Sequence, residues 1–170
     1  MYELRGPTRT AFLGFFISHI PITLIIDSQS VLPASIYPIP IQQTLRWYAS
    51  TFNDKLMTPP YSLFLQTFVA CELLFQMPFF FVATYALLNS REQVISGSGW
   101  FRTACIIYGT HTSTTLFPIL ASLVFDKELA ASEKALLFGF YMPYLIFPAW
   151  LVLIASVSKN VFGENENKNK

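Results

Sequence analysis

Four stretches of the chain are apolar for long enough to be read as helices, and they lack formal charge or nearly so. They are Thr10–Ile26 (17 residues), Ser62–Leu88 (27), Ala104–Phe125 (22) and Ala135–Val157 (23). A helix needs ~20 apolar residues to cross ~30 Å of hydrocarbon, so the last three qualify outright. The first reaches that length if Arg9 snorkels at one end and Asp27 sits at or inside the other. A soluble bundle would place polar residues outward every ~3.6 positions. The pattern predicts an all-α membrane protein, a four-transmembrane-helix bundle with spans at about 10–27, 62–88, 104–125 and 135–157. Pro21 and Asp27 stand where a signal-peptide cleavage site would be expected, so the first span reads as a retained anchor.

Composition narrows the class. Apolar residues make up 53% of the 170, and charged residues only 12%, about half the ~25% of a soluble domain. Such a chain is not disordered. Its net charge of +1 leaves no surplus for binding nucleic acid. Cys71 and Cys105 form neither a disulfide framework nor a zinc site, and no metal or cofactor is expected. The spans take up 89 residues, leaving no room for a soluble catalytic domain.

An even number of spans places both termini on one side. Arg5, Arg9, Arg91, Arg102, Lys159, Lys168 and Lys170 lie there, against Arg46, Lys55, Lys127 and Lys134 opposite. The positive-inside bias predicts that both termini are cytosolic. The long connection, residues 28–61, is then lumenal and rich in proline, and Gln42–Phe52 reads as a short interfacial helix displaying Trp47 and Tyr48. Residues 1–157 form the membrane domain, and residues 158–170 read as a disordered cytosolic tail.

Pro21, Pro78, Pro118, Pro143 and Pro148 put at least one proline in every span. Each removes a helical donor and frees a carbonyl, so the helices are expected to kink and splay around an intramembrane cavity. Every span also carries a polar stripe: His19, Thr23 and Asp27 at i, i+4 and i+8; Glu72 and Gln76 at i, i+4; His111 and Thr115; and Tyr141 with Tyr144. At ~1.5 Å per residue, Glu72, Thr115 and Tyr144 share one depth, with Asp27 a turn or two nearer the lumen. Two ionised carboxyls ~4 Å apart would repel by ~4 kcal/mol at an effective dielectric of ~20. Asp27 and Glu72 are therefore read as sharing one proton, on Glu72, leaving Asp27 as counter-ion for a cation. Phe75, Phe79, Tyr144 and Phe147 are the expected walls.

Several motifs stand together: Ser18-His19-Ile20-Pro21-Ile22-Thr23 with Asp27, Trp47-Tyr48-Ala49 with Asp54, Cys71-Glu72-Leu73 with Phe75-Gln76 and Pro78-Phe79-Phe80, Ile106-Ile107-Tyr108 with His111-Thr112 and Thr114-Thr115-Leu116, and Tyr141 with Pro143-Tyr144-Leu145. In these the chain resembles the sigma-2 receptor family, part of the EXPERA group that includes the emopamil-binding sterol isomerase. The resemblance implies an endoplasmic-reticulum protein with a ligand pocket. Asp27 would be the counter-ion and Glu72 its protonated partner, with Gln76, Thr115 and Tyr144 in the pocket and Asp54 supporting it. His19 and Tyr48 complete the expected ligand-binding set, with Thr23 and Tyr141 in support. It further implies homodimers, sterols, oxysterols and cationic amphiphiles as ligands, and a Niemann–Pick-type cholesterol transporter as partner. Nuclear-envelope and endolysosomal membranes are further locations it allows. The tail carries lysine at the third position from its end but at neither the fourth nor the fifth, a departure from the family's retrieval signal.

Three functions compete: a non-enzymatic sterol and amphiphile receptor, a sterol isomerase, and a factor handling mitochondrial precursors at the reticulum surface, the last implied by fungal members. Isomerisation needs an acid and a base, and the isomerase pattern sets a His one turn before the Glu of span two. Phe68 occupies that position, so no isomerase activity is expected.

Overall fold

The computed structural model describes residues 7–89, 95, 97–158 and 161–162. Among these it is all helical: α1 (Pro7–Ile25), α2 (Ile39–Phe52), α3 (Leu63–Cys71), α4 (Met77–Leu88), α5 (Gly99–Phe125), α6 (Ala131–Tyr141) and α7 (Pro143–Val157). Two short 3₁₀ turns, Asp27–Ser30 and Ala34–Ile36, lead from α1 into α2.

Three segments are long and apolar enough to cross a membrane: Pro7–Ser30, Leu63–Leu88 and Ala131–Val157. The first clears the threshold because its helix begins before Arg9 and its turn carries on past Asp27. The α5 helix has the length, at 27 residues, but the run Thr110–Thr115 dilutes its apolarity.

Basic side chains tie neighbouring helices together end to end. Among the described residues no α-helix has a basic residue in its own last turn to meet its unpaired carbonyls. Instead Arg9 at the start of α1 donates to the Leu87 carbonyl at the end of α4. Arg102 at the start of α5 donates to Ala155 and Ser156 at the end of α7. These contacts define a proximal end, where α1 begins and α7 finishes. At the distal end Lys134 of α6 reaches the Val124 carbonyl of α5 at 2.8 Å, and Gln66 of α3 reaches Ser30 at 3.0 Å.

Prolines act unevenly. Pro21, Pro118 and Pro148 lie inside continuous helices. Only Pro78 and Pro143 coincide with interruptions. Ahead of Pro78 the chain makes a π-turn over Glu72–Gln76, with the Met77 N–H bonded to the Glu72 carbonyl. Pro78 lacks the N–H and its ring crowds the preceding turn, and a wider turn is one way to accommodate it. Pro143 opens α7 immediately after Met142.

One glycine permits a close helix contact. A Cβ on Gly109 of α5 would lie 2.5 Å from the Pro148 carbonyl oxygen and 2.6 Å from Val152 Cγ2. Glycine is what lets α5 and α7 meet there.

The proximal half is filled by a single cluster that includes Phe12, Phe16, Phe80 and Phe101, each fully buried. Val161 and Phe162 belong to it, with Phe162 against Phe12 and Phe101. This corrects the disordered reading of the tail at Ser158, Val161 and Phe162, all buried. The remainder of the tail, like Arg5 and Arg91, falls outside the described residues.

Candidate functional site

The distal half is hollow. A cavity of about 370 Å³ opens between α1, α3, α5 and α6, with α2 beside it. That is within the ~300–1,000 Å³ of small-ligand sites. Asp27, Glu72, Gln76, Thr115, Tyr144, His19, Tyr48 and Tyr141 all line it. Of the walls expected from sequence only Tyr144 is present. Phe75 is 68% exposed on the outside of the bundle. Phe79 stacks on Tyr108 in the proximal core, and Phe147 stacks on Phe15. The aromatic lining comes from Tyr48, Phe68, Phe140, Tyr141 and Tyr144, with Ile22, Ile26 and Leu65 among the aliphatic residues.

Helical spacing on α1 sets the first part of the site. His19 and Thr23, one turn apart, both reach Glu72 Oε1: His19 Nε2 at 3.2 Å and Thr23 Oγ1 donating at 2.5 Å. The His19 ring is held between Phe80, stacked at 4.4 Å, and Tyr144 at 4.6 Å. One turn beyond Thr23, Asp27 also lines the cavity. Among the described residues no hydrogen bond or ion pair reaches its carboxylate, and no bond joins it to Glu72. The two acids are thus unequal: Glu72 is bonded within the protein, and Asp27 is available to a visitor.

From the π-turn, Gln76 Oε1 accepts from Thr112 Oγ1 at 3.0 Å, and Thr115 Oγ1 donates to the Thr112 carbonyl at 2.9 Å. The threonine run of α5 therefore splits, with Thr112 and Thr115 inward and Thr114 bonded back to the Thr110 carbonyl on the exposed side. His111 does not line the cavity.

Asp54 fixes the distal wall. It is fully buried and does not itself line the cavity. Its Oδ2 accepts from the Tyr48 phenol at 3.0 Å and the Tyr141 phenol at 2.8 Å. Its Oδ1 accepts from the Leu56 and Met57 N–H groups at 3.1 and 3.4 Å. One carboxylate thus ties α2 to α6 and presents both rings to the hollow. Burial and the adjoining Asp54 charge push the Tyr48 phenol well above its ordinary value, so it remains a donor. The resemblance named Asp54 as a supporting residue, but its partner on α6 had no local signal in the sequence.

The site is a chamber with greasy walls, one acidic side chain with no bonded partner among the described residues, one internally bonded acid–imidazole pair, and amide, hydroxyl and phenol groups around them. Cations and hydroxyl-bearing amphiphiles suit that chemistry. No group of three or more His, Cys, Asp or Glu able to hold a metal occurs among the described residues.

Comparison with known proteins agrees with this class. Residues 40–155 match the family described as EXPERA (EXPanded EBP superfamily). The chain is 40% identical to Sigma intracellular receptor 2 of Homo sapiens over 167 residues, covering 92% of this chain and 90% of the relative. Identity to the Xenopus tropicalis protein of that name is 36%, over 94% of each chain. It is 29% identical to Efficient mitochondria targeting-associated protein 19 of Saccharomyces cerevisiae, over 84% of this chain and 94% of the relative. The architecture and these matches define an EXPERA membrane protein, and within that superfamily the chain belongs to the sigma-2 receptor family.

Proposed function

We propose that the protein is a non-enzymatic receptor for sterols and cationic amphiphiles in the endoplasmic-reticulum membrane, acting in sterol homeostasis. Its four long helical segments all cross the bilayer, α5 included, with both termini cytosolic and the cavity in the lumenal half. The chain works as a homodimer. The reading is carried by one observation: the Asp27 carboxylate lines an apolar cavity with no bonded partner among the described residues, while Glu72 beside it is held by His19 and Thr23. An uncompensated carboxylate at membrane depth is costly, and a ligand ammonium or hydroxyl relieves that cost. Gln76, Thr115 and Tyr144 line the rest of the ligand's bed, Tyr48 and Tyr141 its distal wall, and Asp54 supports them.

Asp27→Asn tests this by displacement of a radiolabelled cationic amphiphile. Loss of a buried charge pair costs ~2–5 kcal/mol, so affinity is expected to fall at least ~30-fold, with the protein still folded. Unchanged affinity would remove Asp27 from the counter-ion role.

Two other readings have support of their own. The yeast relative's name favours a role in mitochondrial targeting, and rescue of a deletion strain by Asp27→Asn would favour it over the receptor. His19 restores from α1 the imidazole–carboxylate pair that Phe68 denies to span two, which keeps isomerase chemistry in view. Complementation of an isomerase-deficient cell would establish it.

A further inference from the structure

Beyond the cavity, the most unusual surface is the segment that follows the first span. From Ser28 to Leu45 there is no formal charge. Within it every residue of Val31–Pro40 except Tyr37 is exposed. The exposed side chains are large and apolar: Leu32 at 39%, Ile36 at 58% and Ile39 at 69%. In water this would be a sticky patch.

Much of the segment's backbone is already paired or lacks a donor. Pro33, Pro38 and Pro40 have no N–H to satisfy. The N–H groups of Val31 and Leu32 bond the Ser28 carbonyl, Ile36 bonds Pro33, Tyr37 bonds Ala34, and Ile41 bonds Pro38. Side chains add to this from inside: the Gln42 amide donates to the Ala34 and Tyr37 carbonyls, each at 3.0 Å, and Tyr37 Oη meets Ser28 Oγ at 2.6 Å. Each such bond, and each missing proline N–H, lowers the cost of placing this backbone at the lipid boundary. The patch is also continuous with the spanning segment Pro7–Ser30 and precedes α2, whose Trp47 is 61% exposed.

We infer that Val31–Pro40 is a lipid-inserted wedge: it enters the distal leaflet beside α1 and moors α2, with its Tyr48, over the cavity. Its partner is the uncharged boundary of a bilayer. The inference rests on the membrane reading of the bundle but not on any ligand.

A nitroxide placed by Ile36→Cys tests it, in full-length protein carrying Cys71→Ala and Cys105→Ala and held in phosphatidylcholine nanodiscs. Reference labels sit at Ile107, 65% exposed on α5, and at Lys127, exposed beyond its end. Power saturation with oxygen and with a water-soluble nickel chelate reads the surroundings. The Ile36 label is expected to lose nickel collisions to the level of Ile107 while retaining those with oxygen. Nickel access equal to that at Lys127 would overturn the wedge. So would shielding from both reagents, which would mean that protein covers the patch. Nickel access at Ile107 as well would instead overturn the membrane reading itself. Should Ile36→Cys not fold, Leu32→Cys carries the same expectations.

Discussion

The two ends of this bundle are made from the same helices, yet one is solid and the other hollow. At the proximal end 17 buried residues form one continuous cluster, with Phe12, Phe16, Phe80, Phe101 and Phe162 interlocked at its centre. At the distal end the buried apolar residues divide into two small groups, one around Leu45 and Val69 and the other around Leu123 and Leu137. The cavity borders both: Leu65 and Val69 of the first line it, and Tyr141 beside the second does too. Proline does not explain the difference, since Pro148 packs tightly against Gly109. The way the rings meet does. Rings interlock across the proximal half, whereas in the distal half rings, threonines, Gln76 and the acids lie along the walls and leave the centre open.

The solid end should be the more sensitive to lost volume. Phe80→Ala removes a fully buried ring that also stacks on His19, and should cost ~3–5 kcal/mol, read as a fall in melting temperature in detergent. Asp54→Ala attacks the hollow end. It strips two phenols and two N–H groups of their acceptor and is expected to cost ~2–4 kcal/mol by the penalty for unsatisfied buried groups, with a parallel loss of ligand affinity. Gly109→Ala forces α5 from α7 and should cost ~1–3 kcal/mol; a melt unchanged from the parent would mean that the contact gives way without strain.

The smallest effect concerns pH at the distal surface. The N–H of Glu128 and then the Lys55 ammonium hold the Asp126 carboxyl below its usual range, and Glu128 and Asp126 hold the Lys55 ammonium above its own. A lowered carboxyl contributes stability above its unfolded value of ~3.9 and loses it as pH falls through the folded value. Lys55, being raised, contributes below ~10.4 and loses that contribution at higher pH. The group is solvent-exposed, so a slight fall in melting temperature below pH ~4 is expected, and it should vanish in Asp126→Asn.

Helical spacing made one wall of the site legible. His19 and Thr23 do share a face of α1, one turn apart, and Asp27, in the 3₁₀ turn that follows the helix, also reaches the cavity. Depth arithmetic likewise brought Glu72, Thr115 and Tyr144 to one chamber. What spacing could not supply was which ring points where. Phe75, Phe79 and Phe147 were expected to be walls for a cation, but the π-turn at Glu72–Gln76 resets the facing of Phe79 on α4, Phe75 lies exposed and Phe147 stacks on Phe15; Phe140 and Phe68 line the cavity instead. Nor does composition along a strip of sequence reveal contacts between distant segments. The Asp54–Tyr141 bond and the burial of Phe162 both depend on another helix being there. Hydropathy ranked the spans differently as well: the first was expected to be marginal, and α5 is the one that falls short.

The most direct measurement compares two ligands of one shape, a quaternary ammonium amphiphile and its uncharged carbon isostere, bound to the parent protein and to Asp27→Asn in nanodiscs. The account predicts that the substitution weakens the ammonium compound by at least ~30-fold and leaves the isostere unchanged. Equal losses for both, or none for either, would contradict it.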